Sequence, residues 1–374
     1  MRTNAMRTDF KFGREIYFFY LRRRNSMKAI GRYSVVMMML MCIFALSALA
    51  GNGTRTGTAG ATELLIPVGA QGIALGQENL IFASGSEALY WNPAGLSRMD
   101  RDVEAMFSEM SYIADINIGY GALGVKTDFG TLGFSLKSIA FGDIPVTSEA
   151  FPDGNGQTYS PTYVTLGATY SKLLTDRISV GVTSNLVTER IMNTSATGVA
   201  FNIGIQYYGL GVPGVDLGIA VKNIGPDMTF DGSDLLRLAT AQAGLRGTQY
   251  YKVSAASFQL PSDIEIGVGY QRQIDENFSF RVGANFQNNN SSDDVYGLGG
   301  ELSYMSILAV RASYLTAPQA LDDPTEGNST YLYDYALGVG LHHDVGGIDV
   351  AFDYAYRHVK LLSSNNVITI RLGF

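Results

Sequence analysis

Three groupings in this 374-residue chain have residue types and spacings that could do chemistry. His342, Asp349 and Asp353 fall on one face of two neighbouring extended segments, and a His–Asp pair is half of a hydrolytic site. No Ser, Thr or Cys nucleophile accompanies it, so an ion pair inside the fold is the reading that survives; His343 points the other way. The stretches Gly119-Tyr120-Gly121-Ala122-Leu123-Gly124 and Gly209-Leu210-Gly211-Val212-Pro213-Gly214 both spell G-x-G-x-x-G. Neither opens a helix after a strand, which a phosphate-cradling loop requires. The first reads as a glycine stripe facing a lumen and the second as a turn. Asp153-Gly154-Asn155-Gly156 resembles the start of a calcium loop but lacks the later bidentate Glu, so it reads as a solvated turn. The one cysteine, Cys42, lies in an apolar run, which excludes thiolate metal sites and disulfides from the rest of the chain. These groupings carry no catalytic, metal or cofactor site.

The elements that hold these residues begin after a leader. Met27-Lys28 opens a short basic stretch, Val35 to Leu46 is apolar, and Ala48-Leu49-Ala50 is an A-x-A-like cleavage site. The apolar run is shorter than the ~20 residues a spanning helix needs. Residues 27–50 are therefore expected to be a signal peptide, with the true start at Met27 and residues 1–26 a mis-called prefix. Residues 1–50 hold nine Lys/Arg and two Asp/Glu, so the exported chain carries 18 basic and 32 acidic residues, a net charge of −14. That excludes nucleic acid as a partner, which asks for a basic stripe.

Forty-three Gly, 22 Tyr and 19 Phe against one Trp suggest strands, and the period confirms it. Ile348, Val350, Phe352, Tyr354 and Tyr356 alternate with Asp349, Ala351, Asp353, Ala355 and Arg357. Phe278 to Phe286, Ile264 to Tyr270 and Tyr335 to Leu341 alternate likewise. Fourteen such segments are predicted: 103–110, 116–126, 130–139, 162–174, 177–190, 197–208, 214–224, 262–272, 277–288, 295–304, 307–316, 333–343, 347–357 and 365–374. Connections after even segments are short, and those after odd segments include the long 140–161, 225–261 and 317–332. Strands of about ten residues, with short turns on one side and long loops on the other, describe an all-β, 14-stranded antiparallel transmembrane barrel of an outer membrane. An even strand number puts both termini on the periplasmic side. The last segment aligns Ile370, Leu372 and the terminal Phe374 on the lipid face, resembling the signal read by the barrel-assembly machinery.

One stretch does not fit. Residues 51–102 are not barrel-like and contain Tyr90-Trp91-Asn92-Pro93-Ala94-Gly95. Pro93 fixes its own φ and drives Asn92 out of helix, Asn92 can bond nearby backbone, and Gly95 permits a turn. A fourteen-stranded lumen is too wide for side chains alone to fill. The stretch is expected to enter the lumen as a hatch, followed by the barrel at 103–374. "PVGAQGIALG" (67–76) and "ASGSEALYWNPAGLS" (83–97), with Lys222 to Phe230 and Leu260-Pro261, resemble the PorV/PorQ family of the type nine secretion system, within the FadL-like barrel superfamily.

The resemblance implies a non-enzymatic outer-membrane protein that binds or shuttles secreted cargo bearing a C-terminal β-domain, beside the secretion translocon. The partner surface would then be the long loops, with Ile144, Phe151, Tyr159, Met228 and Phe230 as contact residues. The alternative is a FadL-like transporter of hydrophobic small molecules such as long-chain fatty acids, with the hatch as gate. Lumen faces rich in Gly, Ser, Thr, Asn and charge argue mildly against a long acyl channel.

Overall fold

The structure, a computed structural model, describes residues 57–240, 247–318 and 331–374. The leader and the predicted prefix lie outside the described residues. Fourteen strands form the wall: β1 Val103–Ser111, β2 Asn117–Thr127, β3 Gly130–Ala140, β4 Thr162–Leu173, β5 Ile178–Ile191, β6 Thr194–Tyr208, β7 Val215–Ile224, β8 Asp263–Gln273, β9 Phe278–Asn289, β10 Val295–Tyr304, β11 Leu308–Thr316, β12 Tyr333–Val345, β13 Ile348–Val359 and β14 Asn365–Gly373. Each lies within three residues of its predicted span. Every neighbour in sequence is an antiparallel neighbour in the sheet, and β1 pairs with β14 from Glu104↔Gly373 to Ser111↔Asn366. The sheet is a closed barrel, so its first and last strands leave no open edge to lipid.

The two faces separate as the alternation requires. Phe107, Phe134, Leu298, Leu337, Leu341, Ile368 and Ile370 are exposed on the outside, while Ser171, Thr183, Asn185, Gln206, Arg311 and Asp353 are buried inside. Aromatic pairs sit at the short-turn end: Phe129 stacks on Tyr170 at 6.2 Å and Phe278 meets Tyr304 at 4.9 Å. At the other end Tyr335 stacks on His358 at 4.8 Å. Such belts place the rings at the two membrane–water boundaries. Phe374, half exposed, joins the short-turn end.

One glycine expectation fails. Tyr120 and Ala122 are buried while Gly119 and Gly121 have open space where a Cβ would be. Those two glycines face outward; of that stretch only Gly124 faces the lumen, against Leu96 and Met99. Gly209, Gly211 and Gly214 do form a turn, all at positive φ.

The wall has a seam. β6 is fifteen residues long and β7 ten, and their ladder runs from Tyr208↔Asp216 to Ile203↔Val221, then slips to Phe201↔Ile224. At the slip stands Asn223, buried and in the left-handed region at φ 58°. Only Asp231 and Gly232 return to pair with Ser195 and Thr194 of β6. Met228 and Leu260 fill the gap together with Ala196, Ala200, Val187, Ala61 and Leu64. Met228 is fully buried there and Phe230 packs on Phe258 at 5.6 Å. These two are therefore taken into the wall rather than offered to a partner, because the shorter β7 leaves a hole that apolar side chains must close.

The hatch runs from the long-loop end to the short-turn end. Gly57 N–H donates to Ser291 O, and Ala59 bridges Gln259, both in connections at the long-loop end. At the other end of the hatch Asp102 and Val103 donate to Phe374 O at the short-turn end. The barrel strands begin and end at the short-turn end, but the described N-terminal residues do not: they lie at the long-loop mouth. The reason is that the hatch threads the lumen instead of folding back into it. Accordingly, Thr58→Cys should react on intact cells with a membrane-impermeant maleimide as readily as Asp153→Cys, while Asp128→Cys at an inner turn stays unlabelled. Labelling of the Asp128 variant without the Thr58 variant would reverse the assignment.

Candidate functional site: the hatch and the vestibule above it

The hatch is a string of short turns: 3-10 turns at Thr62–Leu65, Gly76–Glu78, Gly85–Glu87 and Pro93–Arg98, and helical turns at Ala70–Leu75, Asn79–Phe82 and Ala88–Trp91. None is long enough to be stable alone in water, so tertiary bonds must hold each one. Asn92 is the centre of these bonds. Its Oδ1 accepts from Ala94 N–H at 3.2 Å, and its Nδ2 donates to Leu80 O at 3.0 Å and to Ile205 O of β6 at 3.2 Å. Pro93 opens the turn that follows, where a missing N–H costs nothing. A Cβ on Gly95 would stand 2.0 Å from Ala83 O, and one on Gly204 of β6 would stand 2.0 Å from Asn92 Oδ1. The glycines on the lumen face are the space into which the hatch fits.

Barrel side chains complete the attachment. Gln206 Nε2 lies within 3.0–3.3 Å of the carbonyls of Leu80, Ile81 and Ala83. Lys137 Nζ donates to Glu63 O and Ile66 O at 2.6 and 2.5 Å. Thr369 Oγ1 accepts from Ala70 N–H at 2.8 Å, and Ser171 Oγ donates to Ala94 O at 2.9 Å. Trp91 donates its indole N–H to Val68 O at 3.1 Å and meets Tyr90 edge-on at 5.3 Å. The Trp-Asn-Pro-Ala-Gly knot is thus a plug, as its residues suggested.

Ion pairs stiffen the lumen below. Arg311, 2% exposed, bonds Asp353 and Glu301 at 2.5 Å each, and Glu301 also holds Arg281 at 2.8 Å. His342 lies 3.6 Å from Asp353, inside this lattice. Asp349 takes no part; it pairs in register with Asp344 across the inner turn. Among the described residues no cluster of three or more His, Cys, Asp or Glu could hold a metal.

Beside the hatch the long-loop mouth opens into a vestibule. One cavity of ≈ 190 Å³ is walled by Leu64, Leu65, Pro67, Tyr90, Trp91 and Tyr333, with Lys222, Asp263, Glu265 and Arg357 among them. A second, of ≈ 440 Å³, lies beside Tyr112, Ile139, Phe141 and Tyr163, and shares Leu65, Pro67, Tyr333 and Arg357 with the first. Apolar walls with a few placed charges are the usual make-up of a small-molecule site. Sequence reasoning found Tyr90 and Trp91 but missed the charged set, because Lys222, Asp263, Glu265 and Arg357 lie far apart in the chain and meet only when the barrel closes. Of the loop residues singled out earlier, Phe151 is exposed, and Ile144 and Tyr159 face each other in a two-residue hairpin pair.

The hatch holds buried acids. Burial, and next the Glu189 carboxylate, push the Glu63 carboxyl up to about 8. Burial pushes Glu87 up to about 7 against the pull of Arg371, and holds Glu78 well above the ordinary carboxyl value.

No protein-family profile matches the chain, and no curated protein matches it in sequence. Solved structures do share the course of its backbone. The CymD monoaromatic hydrocarbon channel is 13% identical, with 82% of this chain and 97% of that one covered and a TM-score of 0.49. The Pseudomonas putida toluene transporter TodX is 13% identical, with 78% and 94% covered and a TM-score of 0.47. A Pseudomonas aeruginosa FadL homologue is 13% identical, with 86% and 96% covered and a TM-score of 0.41.

Two outcomes follow for the hatch. Asn92→Ala leaves the buried Ala94 N–H without an acceptor, a cost of about 1–3 kcal/mol, and takes one donor each from Leu80 O and Ile205 O; the heat-modified gel shift of the barrel should move to lower temperature, and an unchanged transition would remove Asn92 from the centre of the plug. The acids set a pH dependence. Carboxyls whose docked pKa is raised hold protons that the released hatch gives up, so docking is strongest near and below the ordinary value of 4.5 and weakens as pH rises toward about 8. Proteolysis of the hatch should be faster at pH 8.5 than at pH 5, and Glu63→Gln should flatten part of that slope.

Proposed function

We propose that this outer-membrane-type barrel captures an apolar small molecule at its outer mouth and passes it sideways into the membrane rather than through an open pore. The observation that carries this reading is the juxtaposition of vestibule and seam. Leu64 lines the vestibule and also packs in the apolar fill of the seam. Straight passage would have to break the bonds of Asn92, Gln206 and Lys137 to the hatch. Lateral passage parts the apolar contacts around Met228, Leu260, Ala61 and Leu64 and the two-residue ladder of Asp231 and Gly232 with Ser195 and Thr194, and leaves the bonds of Asn92 and Gln206 to the hatch intact. The gate is then the N-terminal end of the hatch, and the residues doing the work are Leu64, Tyr90, Trp91 and Met228.

A second reading is supported by different features. The hatch sequence resembles PorV/PorQ proteins, and the connection between β7 and β8 carries a hairpin, Leu236–Ala239 with Gln249–Lys252, whose Leu238 and Tyr250 are 63% and 71% exposed. With Phe151 it gives the outer mouth an apolar rim on which a secreted β-domain could rest, next to a translocon.

The readings separate on one preparation. The tagged barrel drawn from its own membranes in mild detergent should carry a stoichiometric apolar small molecule; co-purified β-domain cargo or a much larger barrel, with no such molecule, would replace capture by secretion. Ser195→Cys with Asp231→Cys, directly opposite across the seam, should block uptake of that molecule until a reductant is added. Uptake untouched by the crosslink would exclude the seam as its route.

A further inference from the structure

We propose that the hatch turn Gly76–Glu78 and the wall at β9 to β11 hold between them one monovalent hard cation, bound by oxygens alone. This stands apart from the capture reading and does not need it. The observation is a group of buried acceptors without donors. Glu78, Asn285 and Ser313 are each more than nine-tenths buried. Glu78 Oε1 and Oε2, Asn285 Oδ1 and Ser313 Oγ lack a hydrogen-bond partner elsewhere in the chain. The carboxylate has only its own backbone N–H beside it. No ion pair among the described residues includes Glu78.

These oxygens meet around glycines. A Cβ on Gly297 of β10 would stand 2.2 Å from Asn285 Oδ1 and 2.9 Å from Glu78 Oε1. One on Gly299 would stand 2.4 Å from Leu75 O and 2.6 Å from Glu78 Oε2, and one on Gly76 would stand 3.0 Å from both Ser313 Oγ and Glu78 Oε2. Glycine at these positions keeps the space among the oxygens clear of side chains. A relay of amides fixes which atom of Asn285 looks in. Gln287 donates to the Asp263 carboxylate, Gln77 Nε2 donates to Gln287 Oε1, and Asn285 Nδ2 donates to Gln77 Oε1 at 2.8 Å. Asn285 is left with its Oδ1 toward Glu78. A proton on Glu78 removes the charge but bridges a single acceptor, and a water bridges acceptors but leaves the charge buried. A hard cation answers both needs, with a carboxylate, an amide oxygen, a hydroxyl and the carbonyl at the end of a helical turn as its ligands. One carboxylate balances one positive charge. Gly76 and Gln77 line the ≈ 190 Å³ cavity, which gives the ion its way in from the vestibule.

The test compares the purified full-length barrel, in a zwitterionic detergent, in sodium chloride and in choline chloride at equal ionic strength. Trp91 is the sole tryptophan and sits in the hatch, so its emission on heating reports release of the plug. The transition should stand about 2–4 °C higher in saturating Na⁺ than in choline. The sodium NMR line should broaden saturably with the protein. Glu78→Gln, which keeps the shape and removes the charge, should abolish both effects, and Ser313→Ala should weaken them. Equal transitions in the two salts for the unaltered protein would overturn the site, and that comparison stands even where a variant fails to assemble. Ca²⁺ reproducing the shift at about a thousandth of the Na⁺ concentration would overturn the single charge.

Discussion

Everything in this molecule follows from the rule that backbone polar groups in lipid must find partners within the protein. The ladder between β1 and β14 closes the sheet and removes its two edges. Closing fourteen strands fixes the width of the lumen, and that width is more than side chains can fill. The hatch is the consequence. It is made of short turns that could not stand alone, held by barrel groups such as Gln206 and Lys137 that would otherwise be buried without partners. Barrel and plug satisfy each other's hydrogen bonds, and neither is complete alone.

The same rule explains why the one weak place lies where it does. β6 runs on from Ala200 to Thr194 past its last pair with β7, so a stretch of wall lacks that ladder. The chain repairs it with apolar contacts around Met228 and a ladder of two residues, Asp231 and Gly232. Apolar contacts can part and re-form without orphaning a polar group, which makes the seam the softest place in the wall. Its neighbour is the charged vestibule, so binding above the hatch and opening at the seam share residues, Leu64 foremost.

Much of this was legible in the sequence, for a physical reason. A strand between lipid and a polar lumen must alternate, so period two marks both its length and its faces, as in Ile348 to Arg357. The knot was legible because Asn-Pro-Ala-Gly has few conformations. Gly119 to Gly124 misled because Tyr120 and Leu123 lie on opposite faces and both are apolar, so hydropathy cannot say which looks inward. Met228 misled because a methionine in a long loop looks like a rim residue until the shortness of β7 is known. The vestibule charges and the course of the hatch from outer mouth to inner end depend on closure, which no local pattern encodes.

The central claim is that the lumen is sealed and that binding happens at the outer mouth. Single-channel recording of the full-length barrel in a planar bilayer tests it most directly. The account predicts insertion without a steady ohmic current. A stable, water-filled conductance in the unaltered protein would contradict it, because the hatch could not then be filling the lumen.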